Sequence, residues 1–73
     1  MLNMKYVLSG IEVIIFSSNI SHDHAAKLLS GPAKSAGHIK IKDNNIHCYG
    51  HSHSLGLKPH DDDSAIIKMQ IER

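Results

Sequence analysis

One cysteine, Cys48, stands alone with no CxxC spacing, which excludes an internal disulfide and makes a reducing cytoplasm the expected setting. Tryptophan is absent and the aromatics are only Tyr6, Phe16 and Tyr49, so the expected core is thin and built from Ile, Leu, Val and Met. No apolar run approaches the roughly 18 residues that a membrane-spanning helix needs. The run from Tyr6 to Phe16 is broken by Glu12, follows a single Lys5 and leads to no clean small-x-small site, so no secretory leader is expected. A charge block is missing too: eight Lys and Arg are scattered against seven Asp and Glu, for a formal net charge of +1. Without a basic stripe, the footprint of a duplex-binding surface is not there, and no nucleic-acid partner is expected. The spacings GxxxxGK[ST] and GxGxxG are also absent, which removes a P-loop and a dinucleotide fingerprint.

What remains is short and rich in histidine. A chain of 73 residues has room for one domain, residues 1–73. Such a domain buries only roughly 60% of its unfolded surface, so homodimerisation is a natural remedy for marginal stability. Histidine occurs seven times, and mild acid adds a positive charge for each imidazole that takes a proton.

Taken in order, Lys5 to Leu8 and Ile11 to Phe16 are rich in β-branched and aromatic residues, and Ser9-Gly10 between them fits a two-residue hairpin loop. Ser21 is a good N-cap, with Asp23 in the positive first turn, for a helix from His22 to about Ser30. Ala25, Leu28 and Leu29 form its apolar stripe, and Gly31-Pro32 stop it. His22 and His24 are two apart on that helix and point about 200° from one another, so they read as two solvated surface histidines, His22 being the better placed of the two to serve a remote site. Pro32 to Gly37 reads as a small-residue linker. HIKIK from His38 alternates like a half-buried strand, Asp43-Asn44-Asn45 make a turn, and Ile46 begins the returning strand. In the last segment Ile67, Met69 and Ile71 alternate with Lys68, Gln70 and Glu72 as in a strand, yet three preceding acids suit a helix dipole. The helix is favoured, from about Asp62. The expected fold is α+β: an antiparallel sheet of about four strands with two helices on one face, in the order β-β-α-β-β-α.

Chemistry concentrates in Ile46 to Asp63, IHCYGHSHSLGLKPHDDD, with four of the seven histidines and the cysteine. If Tyr49 to Leu57 is extended, His47, Tyr49, His51, His53, Leu55 and Leu57 share one side and the small residues share the other. Residues two apart on a strand are about 6.5–7 Å apart, which lets His51 and His53 converge on one ion. His60 and Asp61 are the nearest further ligands for a transition metal such as zinc, in a site of His51, His53, His60 and Asp61. Gly50, Ser52, Ser54 and Gly56 offer hydroxyls and amides to an anion, chiefly at Ser52 and Ser54, although small residues serve close packing equally well. Cys48 reads as a small core residue rather than a nucleophile, since His47 beside it faces the other way. The aspartates diverge around a helix start, which weighs against a catalytic two-metal centre.

These features point to a small cytoplasmic, non-catalytic binding or adaptor protein. It is expected to be homo-oligomeric, with a sheet edge open to a protein partner and a histidine-rich metal or anion site. The enzyme-class alternative is a small metal-dependent hydrolase or phosphoesterase with its site between subunits. Ile46 to Leu57 is the expected docking edge, with His38, Lys40 and Lys42 guarding another.

Overall fold

The computed structural model describes residues 2–71. In chain order its elements are β1 (Leu2–Ser9), β2 (Glu12–Phe16), α1 (His22–Ala26), β3 (Ser35–Lys42), β4 (Asn45–Tyr49) and α2 (Asp63–Ile71). The β-β-α-β-β-α order is the expected one. The strands form a single antiparallel sheet ordered β2-β1-β3-β4.

Both hairpins close over two residues. Ser9 pairs with Glu12 across Gly10 and Ile11, one residue later than the expected loop. Gly10 alone takes a positive φ, +62°, which is the type II′ geometry that suits the twist of paired strands. Lys42 pairs with Asn45 across Asp43 and Asn44, both left-handed at φ 50° and 69°, a type I′ turn made by residues that tolerate that region.

The helices lie on opposite faces of the sheet, not on one. Val7, Phe16 and Ala36 pack with Ala25 and Leu29 of the α1 segment. Tyr6, Leu8 and Ile39 face the other way and pack with Ile67 of α2. Strands such as YVL and EVIIF carry apolar residues at successive positions, so both faces are apolar and each needs a cover. Every fully buried Ile or Val here contributes about 1.5–3 kcal/mol.

Three further expectations change. α1 ends at Ala26, and the Leu28 and Leu29 amides donate to Ala25 and Ala26 in tight three-residue turns, which send Leu29 inward and leave Leu28 71% exposed. The last three residues of the supposed linker, Ser35, Ala36 and Gly37, open β3 and are buried. A Cβ on Gly37 would sit 2.8 Å from both the Tyr49 carbonyl oxygen and Pro59 Cγ, so the segment through Pro59 crosses a strand that must be bare there. And β3 is interior, flanked by β1 and β4, so His38, Lys40 and Lys42 guard no edge; the edges are β2 and β4.

α2 is the favoured helix. Ile67 is buried while Met69 and Ile71 are exposed, so the alternation of those residues marks no strand face; Glu72 lies outside the described residues. Among the described residues no helix is long and apolar enough to cross a membrane.

Candidate functional site

β4 stops at Tyr49, and the expected extension to Leu57 does not form. Gly50 turns the chain at φ +73°, and residues 52–57 fold back on themselves, Ser52 and Leu57 exchanging N–H···O bonds at 2.7 and 3.2 Å. The fold-back spends the Ser52 hydroxyl inside the turn, where it accepts the Leu55 N–H at 3.2 Å and lies 3.4 Å from the Ser54 hydroxyl. Ser52 is buried, and its hydroxyl is engaged within the turn. Leu55 and Leu57 leave the expected shared side and pack against the α1 core.

His51 and His53 converge all the same. Alternation survives over these three residues, with Ser52 inward and both rings outward, and the two Nε2 atoms meet at 2.9 Å. Their rings stand edge to face with centroids 4.2 Å apart. Among the described residues no group of three or more His, Cys, Asp or Glu converges on one ion, so His60 and Asp61 do not complete a four-ligand site with this pair.

The pair forms part of the wall of a concavity of about 250 Å3 that the strand pattern did not reveal. β1 contributes Lys5, the entry to α1 contributes Ser21 and His22, β3 contributes His38, and the loop contributes His51, His53 and Ser54. Lys5 is held there by donating from Nζ to the Ile20 carbonyl at 3.0 Å. His22 is buried, not solvated, because its Nε2–H donates to the Gly37 carbonyl at 2.8 Å, and the bond fixes its tautomer. His24 remains exposed as expected. Ser21 takes the extended N-cap conformation, but its hydroxyl makes no cap bond and turns to the Asp23 carboxylate, holding that group below the usual range.

The rings of Phe16, His22, His38, Tyr49 and His47 form a continuous row, with neighbouring centroids 5.5–5.8 Å apart. Gly50 lets this row form, since a Cβ there would lie 2.7 Å from His38 Cδ2. His38 is held below its ordinary titration range, first by burial and then by charge interactions with His22, Lys5 and His51.

A second polar cluster lies under α2, on the other face. The buried Tyr6 hydroxyl donates to Asp63 Oδ2 at 2.5 Å, and the same oxygen accepts the His60 backbone N–H at 3.0 Å. One aspartate of the run thus turns inward and anchors the helix start, while Asp61 and Asp62 stay exposed. Burial, then the bond to Asp63 and the nearby Cys48, push the Tyr6 hydroxyl far above its usual range. Burial also raises the Cys48 thiol, against the opposing pull of a Tyr6 hydrogen bond and with the charge of Asp63 added. At neutral pH Cys48 is thus a thiol rather than the reactive thiolate. Iodoacetamide should alkylate it more slowly in the folded chain than in denaturant; equal rates would show that the sulfur is neither shielded nor shifted.

No family model, curated protein or solved structure matches the chain.

Proposed function

We propose that the protein is a small non-catalytic binding protein whose ligand is an oxyanion held in the concavity between β1, the entry to α1, β3 and the 51–54 loop. One observation carries this reading: the wall brings together a lysine, four histidines and two serines, with no carboxylate among the described residues that line it. Asp23, occupied with the Ser21 hydroxyl, is not among them. Ammonium and imidazolium N–H groups give charge-assisted hydrogen bonds to oxyanions, and the Ser54 hydroxyl adds a neutral one, whereas the Ser21 hydroxyl is committed to Asp23. Ser54, of the two serines first considered, belongs to this wall.

The chemistry fits binding rather than turnover. Lys5 and His22 already spend hydrogen bonds on main-chain carbonyls, which fixes them as a frame around a ligand. Attraction between charged groups and an oxyanion is screened by ions, so affinity should fall with added salt at any pH between about 6 and 7.5.

Sulfate is the probe of choice, since it stays a dianion over that range. Calorimetric titration should give one saturable site per chain. Lys5→Met should weaken it at least about tenfold, the loss expected for a hydrogen bond to a charged group. Absence of saturable binding, or an affinity indifferent to Lys5→Met, would remove the proposal.

A further inference from the structure

The convergence of the two loop imidazoles carries a different inference about part of the same wall, since His51 and His53 also line the concavity. We propose that His51 and His53 bind one divalent transition-metal ion, Cu2+ in preference to Ni2+ and Zn2+, through their Nε2 atoms.

The spacing sets the preference. An imidazole nitrogen sits about 2.0–2.1 Å from such an ion, so two nitrogens 2.9 Å apart subtend an angle of about 90° at the metal. That is the angle between neighbouring equatorial ligands in the tetragonal geometry of Cu2+ and Ni2+. Tetrahedral Zn2+ needs its ligand nitrogens about 3.3–3.4 Å apart and would have to open the pair by about 0.4 Å. Cu2+ also leads the divalent first-row series in intrinsic affinity for nitrogen ligands.

The protein side is ready for the exchange. Without metal, one Nε2–H donates a hydrogen bond to the other Nε2 across 2.9 Å; for the ion to take both lone pairs, the donor ring's proton passes through solvent from its Nε2 to its own Nδ1, leaving each ring neutral and protonated at Nδ1. Both residues are exposed, so the ion enters without disturbing the core. No third His, Cys, Asp or Glu among the described residues joins them, and the remaining coordination positions therefore belong to water or an external ligand. His60, an expected ligand of the four-residue site, has no part in this one.

The test is a Cu2+ titration in a non-coordinating, sulfate-free buffer, followed by calorimetry and electron paramagnetic resonance. The expected result is one site per chain with two imidazole nitrogens in the equatorial plane. His51→Ala and His53→Ala should each weaken binding at least about tenfold, since even residues that only support a ligand cost that much. His60→Ala should change nothing, and Mg2+ should not compete. Both loop residues are exposed, so the amide spectrum of each variant should stay native; His53→Gln, which keeps a polar side chain, repeats the test if the alanine variant is perturbed. Unchanged Cu2+ affinity in a chain carrying both His51→Ala and His53→Ala, or an equal loss in His60→Ala, would overturn the proposal. Lys5→Met separates this site from the anion site, because it should leave Cu2+ binding intact.

Discussion

Asp63→Ala should lower the stability of the domain by about 2–4 kcal/mol, read as a loss of about 10–25 °C in Tm. The substitution strips the buried Tyr6 hydroxyl of its acceptor and the His60 N–H of its cap, and it also unties α2 from β1. A domain of this length has only about 4–11 kcal/mol to lose. The same reasoning fixes the outcome of a double-mutant cycle. Tyr6→Phe alone leaves the carboxylate of Asp63 buried with one donor fewer, and Tyr6→Phe with Asp63→Ala should cost clearly less than the two single losses together. Strict additivity in chemical denaturation would show that the two groups do not act as a pair.

Gly50→Ala comes second, at about 2–4 kcal/mol, and it reaches the candidate site. Two costs combine: a left-handed backbone at φ +73°, worth about 1–2 kcal/mol to a residue with a Cβ, and a collision of that Cβ with His38 at 2.7 Å. They are separable. Adding His38→Ala should recover the collision but not the backbone cost, so part of the loss returns. Full recovery in the double variant would mean the turn carries no strain, and no recovery would mean the His38 ring moves aside freely. In either single variant the ring row from Phe16 to His47 is interrupted, so sulfate affinity should fall along with stability.

Local chemistry made much of the fold readable. The Asp43-Asn44 turn, the start of α1 at His22, the acid-led start of α2 and the alternation in HIKIK all depend on a few neighbouring residues. The two-sided placement of the helices did not follow from a single segment, although YVL and EVIIF, apolar at successive positions, were the available sign of a sheet buried on both faces. The extension of Tyr49 to Leu57 failed because a period-two pattern does not register a left-handed Gly50 or a hydroxyl that closes its own turn. The pairing of His51 with His53 survived because it needs alternation over only three residues.

The rest of the site was hidden for a physical reason. His22, Lys5 and His38 are brought to the loop by sheet order and by a side-chain bond to the Gly37 carbonyl, contacts made across 15 or more positions. One part was within reach: a two-residue turn at Asp43-Asn44 sets His38 opposite Tyr49, and so beside Gly50 and His51. For His22 the sequence offered only its preference over His24 for a remote site, not which strand it would reach.

Histidine ring spectra recorded by proton–nitrogen correlation during a sulfate titration at pH 6 address the central claim most directly. His22, His38, His51 and His53 should shift together along one saturating curve, while His24, His47 and His60, which do not line the concavity, stay in place. Shifts of similar size spread over all seven rings, or confined to the outer three, would mean that no anion is held between β1, β3 and the loop.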